Sequence, residues 1–146
     1  MRPPNRSAFT LLELTVVLSV LGLLMAIAAP GISRSRNAAA VRAASNDLAS
    51  TISFARQAAL TRRGLVAIAF DTAAGVVTVR AAGPGGPERI LWRDLGLSYG
   101  IVLRANRDSA VYDARGLGYG VSNLTITIRR GSAVDTLTLS RLGRLR

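Results

Sequence analysis

Ala8-Phe9-Thr10-Leu11-Leu12-Glu13-Leu14 opens a run that stays apolar as far as Ala29, broken only by Thr10, Glu13, Thr15 and Ser19. At a rise of about 1.5 Å per residue, Phe9 to Ala29 makes roughly 31 Å of helix, enough to cross the hydrocarbon core of a bilayer. A charged side chain at that depth costs about 2.5–3.5 kcal/mol on insertion scales. Leucine at position 13 would avoid the cost, so Glu13 points to a cationic partner for its carboxylate. Met1–Ala8 carries Arg2 and Arg6 and no acid. A basic flank before an apolar span predicts that the first residues stay cytoplasmic.

Two plainer readings compete. One is a secretory signal peptide cut after the small-x-small sequence Ala26-Ile27-Ala28, releasing an ordinary secreted β domain. Against it, Glu13 falls where the apolar core of a signal begins. Pro30-Gly31 then leads into a second long helix-forming stretch, not a polar mature N-terminus. The other is a simple membrane anchor, which leaves Glu13 without a reason.

Beyond the apolar run, Val41, Ala44, Leu48, Ile52, Ala55 and Ala59 recur at three- and four-residue steps and form one stripe. Arg42, Asn46, Ser53, Arg56 and Arg63 fall largely off it. The pattern predicts one long helix from Phe9 to about Arg62, bent at Pro30-Gly31, with Gly64 as its C-terminal stop. Many stripe residues are alanine, which lets a sheet approach closely.

The remainder reads as antiparallel β structure. Leu65–Asp71 and Gly75–Ala81 make a hairpin by alternation and spacing. Gly83-Pro84-Gly85-Gly86-Pro87 reads as a loop, Ile90-Leu91-Trp92 as a short strand, and Gly100–Arg104 as another. Leu124, Ile126 and Ile128 alternate with Thr125, Thr127 and Arg129. The chain turns at Gly131-Ser132 and returns through Leu137 and Leu139, the clearest hairpin present. Fold class is therefore α+β. The segments are 1–8, a basic leader; 9–32, a membrane helix; 33–63, an amphipathic helix; and 64–146, a β head with a basic tail.

Composition narrows the chemistry. There is no cysteine and no histidine, so disulfides, thiol chemistry, His–Cys zinc sites and histidine acid–base catalysis are excluded. The acids besides Glu13 are scattered, and no pair of carboxylates is signalled. No catalytic residue, metal, cofactor or small-molecule substrate is expected. Net charge is +11, from 19 arginines against 8 acids. That excess favours anionic partners such as nucleic acid, lipid headgroups or acidic proteins.

The basic leader, the small residue Ala8 and the following Phe9-Thr10-Leu11-Leu12-Glu13 resemble a type IV prepilin. The family usually has glycine before the cut, and alanine is the nearest substitute in size. The resemblance implies that a prepilin peptidase cuts between Ala8 and Phe9 and that the new amine is methylated. It further implies that Glu13 pairs with the Phe9 amine of a neighbouring subunit, and that Pro30 is the helix-kinking proline. The implied partners are other major and minor pilins or pseudopilins. The implied location is the bacterial inner membrane, crossed once, with the N-terminus cytoplasmic and the head periplasmic until a filament extracts it.

A narrower resemblance, to the GspH/FimT branch, lies in Ser53-Phe54-Ala55-Arg56-Gln57-Ala58-Ala59, Tyr112-Asp113-Ala114-Arg115-Gly116 and the tail Gly143-Arg144-Leu145-Arg146. It implies a pilin-like fold with a two-sheet β head, and a minor subunit of type II secretion or of a type IV pilus. The Gly-Arg-x-Arg tail matches the one with which some FimT-type pilins hold DNA. On an extended chain Arg144 and Arg146 project the same way, toward successive phosphates, and Arg141 joins that face. Arg129 and Arg130 precede it in the hairpin. A solvated basic tail is the competing reading.

Overall fold

The computed structural model describes residues 10–119, 124–140 and 145. Its first element, the helix α1, runs Leu11–Arg62, with Pro30 inside it. The chain divides into two compact units, Met1–Ser35 and Arg36–Arg146. In the first, every described residue is exposed, including Leu11, Leu18, Leu23 and Ile27. A helix segment apolar all round, with no described residue packed on it, is suited to lipid or to partner surfaces.

In the second unit the helix changes character. Val41, Ala44, Leu48, Ile52, Ala55 and Ala59 are buried, the six residues of the expected stripe. They join one core with Ile68, Phe70, Val79, Leu103, Ile126 and Ile128 from the strands. The helix ends as a Schellman turn: the Gly64 N–H donates to the Ala59 carbonyl at 3.3 Å, around Arg63 at φ +49°. Arg63, not Gly64, therefore takes the left-handed position.

The strands are β1 (Val66–Asp71), β2 (Val76–Gly83), β3 (Gly86–Asp94), β4 (Val102–Ala105), β5 (Ser109–Tyr112), β6 (Gly118–Tyr119), β7 (Leu124–Arg130) and β8 (Ala133–Leu139), with a short helix α2 (Leu95–Tyr99) before β4. They form an antiparallel five-stranded sheet ordered β3-β2-β1-β5-β6 and a three-stranded sheet ordered β4-β7-β8. The hairpins β1–β2 and β7–β8 lie where alternation puts them. The expected loop at Gly83–Pro87 is instead a tight turn, with Gly83 opposite Gly86. Consequently β3 is nine residues long rather than three. The short strand β5 falls in a stretch that offered no alternating pattern.

The motif Tyr112-Asp113-Ala114-Arg115-Gly116 closes a turn against α1. Asp113 Oδ1 accepts the Arg115 and Leu117 N–H groups, each at 2.9 Å. The Leu117 bond chiefly holds the carboxyl below the usual carboxylate range, with Arg115 adding to it. Gly116 has φ +70°, and a Cβ there would stand 3.1 Å from Leu60. Its carbonyl accepts Arg56 Nε at 3.0 Å. Asp47, further up the helix, accepts from the Tyr99 hydroxyl at 3.3 Å and meets Arg93 at 3.6 Å.

Tyr112 is buried, and its hydroxyl has no hydrogen-bond partner among the described residues. Burial pushes the phenol up to about 12, with Arg56 pulling the other way. The unfolded phenol ionises near 10, so between about pH 10 and 12 only the unfolded chain gives up the proton, and stability falls as pH rises. We expect Tyr112→Phe to cost at most about 1 kcal/mol at neutral pH, since no hydrogen bond is lost. Between pH 9 and 12 the variant should lose less stability than the parent, by about 2 kcal/mol at most. Thermal melts of the two proteins across that range check this. Equal losses would contradict it.

Candidate membrane anchor and basic surface

The start of α1 is built by Thr10. Its Oγ1 accepts the Glu13 N–H, and its carbonyl accepts the Leu14 N–H, each at 3.2 Å. Thr10 is thus the N-cap, and Glu13 is the third helical residue, the spacing of a capping box. That signal was present in the sequence as Thr-x-x-Glu, beside the reading of Glu13 as a membrane charge. The first turn also places the carboxylate at the positive end of the helix dipole.

Within the apolar stretch the other polar side chains satisfy themselves. Thr15 Oγ1 donates to the Leu12 carbonyl at 2.8 Å, and Ser19 Oγ to the Thr15 carbonyl at 2.7 Å. Such back-bonding hides hydroxyls from lipid. Pro30 leaves the Ala26 carbonyl without its usual donor, while Ser33 Oγ donates to the Pro30 carbonyl at 3.0 Å. The Glu13 carboxylate has no hydrogen-bond or ion-pair partner among the described residues. Ala8 and Phe9 lie outside those residues. The helix is long and apolar enough to cross a membrane, and its apolar window is fully exposed.

The basic residues that the sequence singled out fall in two stretches. Arg129 and Arg130 end β7, beside the turn at Gly131. There Arg129 Nε donates to the Gly131 carbonyl at 3.1 Å, and Arg130 Nη1 donates to the Tyr99 carbonyl. Arg141, Gly143, Arg144 and Arg146 lie outside the described residues, but Leu145 between them does not. Leu145 bridges Leu139 in antiparallel sense and packs half-buried on the core. Leu139 faces Leu124, the first residue of β7. Five residues of strand, about 17 Å, separate Leu124 from Arg129. The hairpin arginines and Leu145 therefore sit toward opposite ends of the sheet. Proximity along the chain grouped Arg129 and Arg130 with the tail; it could not show that Leu145 meets Leu139.

A family model described as type II transport protein GspH matches residues 44–143, more than half of the chain. A second, the prokaryotic N-terminal methylation motif, matches residues 3–29. No curated protein matches the sequence. Among solved structures, the type IV minor pilin FimU of Pseudomonas aeruginosa is similar at a TM-score of 0.62 and 16% identity, over 73% of this chain and 86% of that one. The minor pseudopilin EpsH from the type 2 secretion system of Vibrio cholerae is similar at 0.60 and 12%, over 73% and 94%. At such identities the likeness establishes the fold: a long N-terminal helix on two antiparallel sheets. With the head matched by one family model and the N-terminal segment by the other, the chain belongs to the GspH family of pilin-like proteins and carries its N-terminal methylation motif.

Proposed function

We propose that the chain is a minor pseudopilin or pilin that assembles into a filament through its N-terminal helix and supports protein secretion. Residues 1–8 are a leader, removed between Ala8 and Phe9 by prepilin peptidase. Residues 9–32 cross the inner membrane, 33–63 carry the amphipathic half of the helix, and 64–146 form a periplasmic head. The role is structural, and no catalytic step is assigned to it. Pro30 loosens the helix where it leaves the apolar segment.

One observation carries the reading. Thr15 and Ser19 bond back to the helix, whereas the Glu13 carboxylate has no described partner in a segment suited to lipid. A methylated amine at Phe9 of a neighbouring subunit supplies that partner and sets the axial register. Removing one member of such a pair leaves a buried charge alone, worth about 3–5 kcal/mol. We expect Glu13→Ala to leave membrane insertion intact and to lower incorporation into filaments at least tenfold. Fractionation of membranes and of sheared filaments measures both. Normal incorporation by the variant would sink the pairing.

A second reading is that the C-terminal arginines hold DNA for uptake. The net charge of +11 and the anchoring of Leu145 to β8 support it, since a tethered tail loses less entropy on binding. Aromatic residues are few, so binding would follow phosphates without base readout. Affinity for duplex DNA should fall with salt at a log–log slope of about −0.9 per phosphate neutralised. Arg144→Ala with Arg146→Ala should reduce that slope by about two. A flat salt dependence removes this reading.

A further inference from the structure

The three-stranded sheet carries a basic groove on the face turned away from the core. Arg104 on β4 and Thr127 and Arg129 on β7 line it, with Arg130, Gly100 and Gly131 at its end, around a space of about 520 Å³. The lining holds three arginines and no carboxylate. Arg129 lies opposite Val102 and Arg104 opposite Thr127, so the two exposed arginines are diagonal neighbours, roughly 7–8 Å apart at their Cα atoms. One phosphodiester fits between two guanidinium forks at that spacing. Backbone carbonyls brace Arg129 and Arg130, at Gly131 and Tyr99 respectively, so both are held in place before a ligand arrives. Arg104 has no carboxylate partner among the described residues.

Two further facts select the ligand. Val102 and Val134 flank the arginines and are 58% and 56% exposed, an apolar border that suits glycerol and acyl carbons better than a hydrated nucleic-acid backbone. The groove's turn also touches the helix: a Cβ at Gly131 would stand 2.6 Å from Asn37 Nδ2. Asn37 follows Ile32, the last large apolar residue of the exposed run, by five positions. That separation is about 8 Å of helix, and at most about 18 Å of fully extended chain. Chain length alone therefore limits how far Asn37 can lie from Ile32. Arg36 and Arg42, both exposed, extend the positive charge along α1.

We propose that the groove binds the phosphodiester headgroup of an anionic phospholipid in the membrane that α1 enters. Docking would hold the head against the membrane until assembly draws the subunit away. The inference rests on the membrane reading above, and its test separates the two. The chain has no cysteine, so Thr136→Cys gives the full-length protein one labelling position beside the groove. The labelled chain is placed in nanodiscs of zwitterionic phosphatidylcholine or of anionic phosphatidylglycerol, each with a headgroup nitroxide quencher.

Each arginine near an anionic surface favours it about fivefold. The ratio of docked to free heads in the anionic discs should therefore fall about 25-fold in Arg104→Gln with Arg129→Gln, toward the zwitterionic value. Thermal melts confirm that these surface changes leave the fold intact. Equal quenching in the two kinds of disc overturns the proposal while the membrane reading stands. Failure of the chain to co-elute with nanodiscs overturns both. Release of the head by millimolar inorganic phosphate would make this a free-anion site, and release by an oligonucleotide a nucleic-acid site. Either result overturns the lipid assignment.

Discussion

One helix has to satisfy two solvents. As far as Ile32, α1 is apolar on every side and exposed, the composition of a lipid-facing segment. From Val41 onward it narrows to a single stripe of small and branched residues that fills the core of the head. Everything else follows from that division. The sheets exist to cover the stripe, with Ile68, Val79, Ile126 and Ile128 buried against it. The unpacked half leaves a long apolar surface that only lipid or other helices can cover, because water would penalise it by about 25 cal/mol per Å².

Within that constraint Glu13 is the exception. It sits in the first turn, capped through its own N–H by Thr10, where the helix dipole favours a negative charge. Those terms amount to about 1–2 kcal/mol, less than the cost of an unpaired carboxylate in hydrocarbon. On the proposed pairing, a cation supplies the balance. The head is held to the helix differently: by ion pairs and hydrogen bonds from Asp47, Arg56 and Arg62 that tie β3, α2 and the Gly116 turn to α1.

The helix stripe and the two main hairpins were legible because their periods, 3.6 and 2, run uninterrupted through strongly apolar residues. β3 was not, because Gly86-Pro87-Glu88-Arg89 is polar and turn-forming on its own. Its conformation comes from pairing along β2, a tertiary term that propensity does not contain. β5 is only Ser109–Tyr112, too short to show a period. At the helix end, the last-turn bond from Gly64 to Ala59 decides the stop, and it places Arg63 in the conformation that residue type assigned to Gly64. For the site, Glu13 stood out because lipid makes a charge conspicuous. The groove at Arg104, Arg129 and Arg130 did not, because its members come from two strands 25 residues apart that only the β4–β7 register brings together. Two of its arginines, Arg129 and Arg130, stood out in the sequence, but beside the C-terminal tail and without Arg104.

The partner proposed for Glu13 exists only if a new amine is made at Phe9. The most direct measurement is the N-terminal sequence and mass of the mature chain isolated from membranes. The expected chain begins at N-methylated Phe9. A chain beginning near Ala29, or still beginning at Met1 in cells that process their other prepilins, would contradict it.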